Sequence, residues 1–150
     1  MDERTIIELV KYVEEESISV AVAPEDDQFD QACSELGVNP CDSYRTFVRL
    51  FGAITIGDIS VYGIGRSRLM GVGEESFVTA TRMFAKGGWP IPQGALVISS
   101  DAFGDPVYLT AEGTIASYSH DENRFYFLHH SFDAYVMDLL KEASDFGDEP

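Results

Sequence analysis

The spacing of apolar residues changes once along this chain, near Ala53, and the change limits the folds open to it. Before Ala53, apolar residues recur at helical spacing in three segments, about 2–16, 25–36 and 42–51. After Ala53 they alternate every second residue, first as Ile54 and Ile56 and then as Ile59 and Val61. Helices that precede the strands, instead of alternating with them, predict an α+β fold.

The second half of the chain predicts two more helices and a meander of strands. Helical spacing from Glu74 to Lys86 indicates a fourth helix, and Ser131 stands where it would cap a fifth. The unbroken apolar run 95–98 is typical of a central strand. Three strands follow at 106–110, 114–119 and 124–128, and their short connections predict antiparallel pairing. We therefore expect a mostly antiparallel or mixed sheet flanked by about five helices.

The chain has no internal repeat and no low-complexity linker, so we expect one domain over residues 1–150. An extended segment at 17–23 and a frayed acidic tail at 145–150 complete the prediction. The start of the chain lacks the pattern of a secretory signal, and no apolar run approaches the roughly 20 residues of a membrane span. These features predict a cytoplasmic protein. Cys33 and Cys41 are expected to be buried or half-buried thiols, with a disulfide or a catalytic thiol as the alternatives.

The formal net charge of −16 constrains the partners of this chain. Residues 1–42 hold 12 acids and 2 bases, residues 43–98 hold 3 and 6, and residues 99–150 hold 11 and 2. Such a field repels polyphosphate, which argues against general binding of nucleic acid, and it accelerates encounter with a cationic protein. Acidic surfaces also keep proteins soluble, and that is the competing explanation.

Several of the acids fall in predicted turns, where binding residues tend to lie. Asp101 and Asp105 precede one predicted strand, while Asp121 and Glu122 occupy the tight turn between two others. We predict that these four carboxylates are exposed and contact a protein partner. Asp58, in a predicted turn, and Tyr62, in the strand that follows, come next as candidates. Trp89, between Gly88 and Pro90, is predicted to plug the edge of the sheet, with an exposed interface anchor as the alternative.

Motifs of common enzymes are missing from the sequence. There is no Walker-type loop and no GxSxG elbow, and the glycines at 63 and 65 lack the third glycine of a dinucleotide fingerprint. A metal site at His120, Asp121 and Glu122 would lack the usual ligand spacing. We therefore expect no enzyme activity, cofactor or metal. A small hydrolase that uses His120, or the His129 and His130 pair, is the alternative.

An ordered set of short motifs resembles the SUKH superfamily (Smi/Knr-like proteins), which is named partly for fungal cell-wall regulators. The motifs span roughly 25–141 and lie at 36–40 (LGVNP), 43–47 (SYRTF), 51–52 (FG), 57–64 (GDISVYGI), 96–98 (LVI), 101 with 104–105, the strand pair around 113, and 131–135 (SFDAY) before 139–140. The resemblance implies an α+β fold with a mixed or antiparallel sheet between helices.

The resemblance also implies a role, because most bacterial members look like immunity proteins that bind and neutralise a toxin domain, often a nuclease. It implies no shared catalytic residues. The sequence thus predicts an immunity protein that covers a cationic cognate toxin domain with acidic residues. The alternative is a regulatory or scaffold module that holds an endogenous protein. The sequence leaves the oligomeric state open.

Overall fold

A computed structural model describes residues 1–16, 24–64, 66–67, 71–72 and 76–147. Over these residues the chain adopts the predicted α+β fold. The helices are α1 (Glu3–Glu15), α2 (Asp26–Leu36), α3 (Asp42–Phe51), α4 (Phe77–Lys86) and α5 (Phe132–Gly147). Helix α5 continues beyond Asp145, where the frayed tail was predicted to begin. The predicted extended segment 17–23 lies outside the described residues, and so do 148–150.

Side chains that accept hydrogen bonds from free backbone N–H groups cap α1, α4 and α5 at their N-terminal ends. The Asp2 carboxylate accepts a hydrogen bond from the Thr5 backbone N–H at 2.8 Å, which caps α1. Ser131 caps α5 as predicted, because its Oγ accepts from the Ala134 N–H at 3.1 Å. The prediction that Asp42 caps α3 is wrong by one residue, since Cys41 holds the extended cap position and Asp42 begins the helix. In the first turn, the negative carboxylate of Asp42 interacts favourably with the positive end of the helix dipole.

The strands pair antiparallel wherever the structure describes a strand ladder. Two short ribbons join β1 (Ile54–Ile56) to β2 (Ile59–Val61) and β3 (Arg66–Ser67) to β4 (Gly71–Val72). The predicted meander is confirmed as a four-stranded sheet in the order β5 (Leu96–Ser100), β6 (Pro106–Leu109), β7 (Ile115–Ser119) and β8 (Arg124–His129). No helix among the described residues is long and apolar enough to cross a membrane.

The strand predicted to be central, β5, is the first strand of the meander and is nevertheless buried on both faces. Leu96 and Ile98 face the main core, while Val97 faces a second cluster under α4. The β1–β2 ribbon lies along the other side of β5, where the Tyr62 N–H donates to the Ile98 carbonyl at 2.6 Å. An unbroken apolar run therefore identified a strand covered on both faces, as expected.

Aromatic side chains from four helices fill the main core. Tyr44 is fully buried and its ring meets Phe132 edge-on, with the ring centroids 5.3 Å apart. Phe29 of α2, Phe47 of α3 and Phe77 of α4 also belong to this cluster. The Tyr44 hydroxyl donates to the Tyr62 carbonyl at 2.5 Å, so the ring also fixes the chain that leaves β2.

Gly63 allows that same segment to approach the end of α3. A Cβ atom at this position would lie 1.7 Å from the carbonyl oxygen of Gly52. The Ile64 N–H donates to that oxygen at 3.1 Å, and the Phe77 N–H donates to the Gly63 carbonyl at 3.0 Å. Gly63 is therefore required for close backbone packing that links α3, β2 and the start of α4.

Candidate functional site

The meander brings two turns to one end of the sheet. In an antiparallel sheet, every second connection emerges at the same end. The β5–β6 turn (101–105) and the β7–β8 turn (120–123) therefore lie together, and the β6–β7 turn lies opposite. We call these two turns the hairpin end. The four acids predicted as partner contacts all belong to it.

Asp101 organises the first turn of the hairpin end. Its Oδ1 accepts hydrogen bonds from the backbone N–H groups of Phe103 and Asp105, at 2.9 and 3.0 Å. The Asp101 N–H donates to the Asp105 carbonyl at 2.9 Å, and Gly104 adopts a positive φ of 82°. This fixed turn leaves the Phe103 side chain 79% exposed. Asp101 is half-buried, so the prediction that it is exposed is wrong, because its carboxylate bonds to the backbone of its own turn.

Asp105 joins the two turns and is buried, so the prediction that its carboxylate is exposed is wrong. Only 6% of the residue is accessible. Its Oδ1 accepts from the backbone N–H of His120 at 3.3 Å and lies 2.5 Å from the His120 ring Nδ1. Sequence reasoning placed Asp105 in a turn correctly but did not show its partner on the neighbouring hairpin.

Hydrogen bonding to Asp105 raises the pKa of His120, and the negative charges of Asp105, Asp121 and Asp101 raise it further. The His120 Nε2 atom lies 3.2 Å from the Asp121 carboxylate. This environment favours the protonated imidazole, and the contact with Asp105 fixes the orientation of the ring.

Asp121 and Glu122 are exposed as predicted. The Asp121 side chain is 80% accessible. Glu122 lies 3.8 Å from Arg124. Because both side chains are exposed to water, this ion pair is weak. Asn123 follows in the left-handed conformation, with a φ of 53°, and closes the turn. The hairpin end thus presents carboxylates on a fixed backbone.

Trp89 forms the wall beside His120. Its ring meets Phe84, Tyr118 and His120 nearly edge-on, with centroids 5.5, 6.1 and 5.8 Å away. The indole is half-buried and packs on the second core cluster, which agrees with the predicted plug. A shallow cavity of about 200 Å³ separates this wall from Asn123.

Tyr62 and Asp58 lie on the β5 side of the hairpin end. The Tyr62 hydroxyl is 3.2 Å from Ser100 Oγ, next to Asp101. Asp58 is exposed in the β1–β2 turn and lines a groove together with Ala102 of the first hairpin turn. The structure therefore places both second-choice residues near the first four, although Tyr62 is only half-exposed.

Strand β8 carries an exposed aromatic pair that was not predicted from the sequence, Phe125 and Phe127, which we call the β8 pair. These side chains are 47% and 58% accessible and share one face of the last strand. Phe125 contacts Tyr118 across the ladder, with ring centroids 5.0 Å apart. The available signal was the aromatic run 125–127 in the final strand of a meander, where a neighbour is present on one side only.

The other two histidines lie at the far end of β8. His129 Nε2 is 3.5 Å from Asp138 of α5, and its ring packs on Tyr135. His130 packs on Phe127, with centroids 4.8 Å apart. Within the described ranges, no group of three or more His, Cys, Asp or Glu side chains is arranged to hold a metal ion.

Comparison with known proteins identifies the family. A family model described as SMI1-KNR4 cell-wall, SUKH_5, matches residues 6–141. The chain belongs to the SUKH superfamily. A search of curated proteins finds no match. The matched range of this SUKH protein contains both turns of the hairpin end, the β8 pair and Asp58.

Proposed function

We propose that this SUKH protein binds and neutralises a cationic toxin domain, and that the hairpin end is its contact surface. The observation that carries the proposal is the convergence of Asp101, Asp121 and Glu122 on two adjoining turns with fixed backbones. Charges held in this way attract an oppositely charged protein and orient its approach. An immunity protein must find its toxin quickly, so a fast encounter suits this role.

The β8 pair offers apolar contact area, which the carboxylates do not provide. Exposed charges at the rim of an interface increase the association rate, whereas buried aromatic side chains supply most of the affinity. Phe125 and Phe127 lie on the strand that leaves the 120–123 turn, next to Tyr118. An acidic turn that continues into exposed aromatic rings has the composition of a protein interface, with a polar rim and an apolar centre.

The test is coexpression with the protein encoded by the adjacent gene, followed by affinity measurement at low and high salt. We expect a tight complex whose association rate falls as salt increases. In D101N/D121N/E122Q the association rate should fall about tenfold at low salt. Asn at position 101 retains the oxygen that accepts from Phe103 and Asp105, so the turn is preserved.

A matched control separates local from overall charge. Glu14, Glu15 and Glu16 are exposed at the end of α1, and E14Q/E15Q/E16Q removes the same three charges. This variant should bind at nearly the wild-type rate. If no complex forms at low salt, or if both triple variants bind equally, the proposal fails.

A regulatory module that holds an endogenous protein is the second candidate. The family description, which refers to the cell wall, favours it. An adjacent gene that encodes a toxin supports the first function. An isolated locus supports the second function if the wild-type protein also retains a host protein and the D101N/D121N/E122Q variant does not.

A further inference from the structure

A groove of about 390 Å³ lies beside the hairpin end, between α5 and the β1–β2 turn. Its apolar walls come from Ile56, Ile59, Leu139 and Ala143. Ala102 of the first hairpin turn also lines it, so the groove opens next to the surface proposed to contact the toxin. The volume lies at the lower end of the range for ligand sites, about 300–1,000 Å³.

Two carboxylates from separate elements complete the groove. Asp58 extends from the β1–β2 turn and Glu142 from α5, and none of the described residues that line the groove is basic. Apolar walls combined with two anionic groups match a side chain that has an aliphatic stem and a cationic end. The charge therefore indicates which class of group the groove accepts.

The groove is held in shape before any partner arrives. The Gly57 N–H donates to the Tyr12 hydroxyl of α1 at 2.9 Å, which anchors the turn that carries Asp58. Ile56 is 2% accessible and Leu139 is 8% accessible, so the walls are continuous with the main core. A preformed recess loses little conformational entropy on binding.

We infer that this groove receives an arginine side chain of the protein partner. The inference rests on the proposed function, because a cationic toxin domain is the source of the arginine. The aliphatic stem would pack on Ile59 and Leu139, while the guanidinium would lie between Asp58 and Glu142. A guanidinium is planar and weakly hydrated, so it is desolvated against apolar walls more readily than an ammonium group.

A methyl NMR titration of the whole protein tests the groove without any toxin. The probe is N-acetyl-arginine methylamide, and the matched controls are the citrulline and norleucine analogues, which remove the charge or the polar end. We expect saturable shifts at the methyl groups of Ile56, Ile59 and Leu139 with the arginine probe. Citrulline should bind at least about fivefold more weakly, because it has no charge to pair with the carboxylates.

Variants connect these shifts to the two carboxylates. D58N/E142Q should abolish the preference for arginine over citrulline, whereas E14Q/E15Q, which removes two charges from the exposed end of α1, should retain it. Equal binding of norleucine and arginine, or no shifts at all, would overturn the inference. So would an unchanged preference in D58N/E142Q.

The complex with the adjacent gene product distinguishes this inference from the proposed function. A143F places a ring in the groove, and D58N/E142Q removes its charges without adding volume. If both variants bind the toxin with wild-type affinity, the groove is not used and the proposed function stands. If the arginine probe binds but no toxin complex forms, the proposed function fails while the groove remains specific for arginine.

Discussion

The carboxylate of Asp105 accepts from the backbone N–H of His120 at 3.3 Å and lies 2.5 Å from its ring Nδ1. These contacts join the β5–β6 turn to the β7–β8 turn, fifteen positions apart in sequence. Since the buried Asp105 bonds to the exposed His120, the pair holds the two turns of the hairpin end together. Asp121 and Glu122 are exposed in one of these turns, and Asp101 is half-buried in the other.

The first prediction concerns pH. The pKa of His120 is raised in the folded protein, mainly by its hydrogen bond to Asp105. The stabilisation is therefore complete below the unfolded value of about 6.5 and is lost as pH rises through the higher folded value. Urea unfolding at about pH 6 and about pH 9 should show this loss in the wild type and a smaller loss in H120Q. H130Q, at an exposed histidine, should behave as wild type. An equal loss in H120Q and wild type would contradict the prediction.

The second prediction concerns the buried carboxylate itself. D105A removes the acceptor for His120 and should lower the free energy of unfolding by about 1–3 kcal/mol. D121N alters a contact at 3.2 Å between exposed side chains and should change stability by less than about 0.5 kcal/mol. In an NMR titration, D105N should move the pKa of His120 down toward its ordinary value. Equal free energies of unfolding for D105A and D121N would show that the contact between Asp105 and His120 does not stabilise the fold.

A third prediction follows from the contact between Gly63 and Gly52. G63A places a Cβ atom 1.7 Å from a backbone oxygen, so the α3–β2 packing must open. We expect a loss of at least about 3 kcal/mol, or failure to fold. G104A is the control, because its Cβ meets nothing within 4 Å and only its positive φ of 82° is unfavourable. That variant should lose about 1 kcal/mol in the same urea experiment. If the two variants are equally stable, the close approach is not required.

The fourth prediction tests the buried hydroxyl of Tyr44. Y44F retains the ring packing but leaves the Tyr62 carbonyl without this donor, at a cost of about 1–2 kcal/mol. Y12F is matched to it, since Tyr12 also bonds a backbone group, the Gly57 N–H, but at an exposed position. Water replaces the lost partner there, so the change should stay below about 0.5 kcal/mol. Chemical denaturation of Y44F and Y12F measures the difference between their free energies of unfolding. No difference would mean that the Tyr44 hydrogen bond contributes little to stability.

The fifth prediction concerns the thiols, which are both free. Cys33 is 4% accessible, and burial raises its pKa, whereas Cys41 is half-buried. Because the thiolate is the reactive form, an aromatic disulfide reagent should modify Cys41 first in the native protein. C41S should therefore remove the fast phase of labelling and C33S should leave it intact. Faster labelling of Cys33 would contradict the buried environment.

The elements of this fold were predictable because their signals are local. Apolar alternation identified β1 and β2, and Ser131 marked the start of α5. The burial of Asp105 was not predictable, since a carboxylate in a turn normally faces water and its partner comes from another hairpin.

The exposure of an apolar side chain in a strand depends on whether that strand ends the sheet. The spacing of apolar residues in the sequence does not show which strand this is. Phe125 and Phe127 have the composition of a buried strand, but β8 has one neighbour and its outer rings remain uncovered. The groove between Asp58 and Glu142 has the same origin. Its two carboxylates are far apart in sequence and come together only through the packing of α5 on the β1–β2 turn.

The meander divides this protein into a scaffold and a tip, which consists of the outer residues of the two turns of the hairpin end. Both turns of the hairpin end protrude from the sheet at the end opposite the β6–β7 connection, so their outer residues can change without disturbing the strand ladders. Asp105 and His120 belong to the scaffold, while Phe103, Asp121 and Glu122 belong to the tip. Under the proposed function, grafting the tip of one SUKH protein onto another, with Asp105 and His120 retained, is expected to transfer partner specificity.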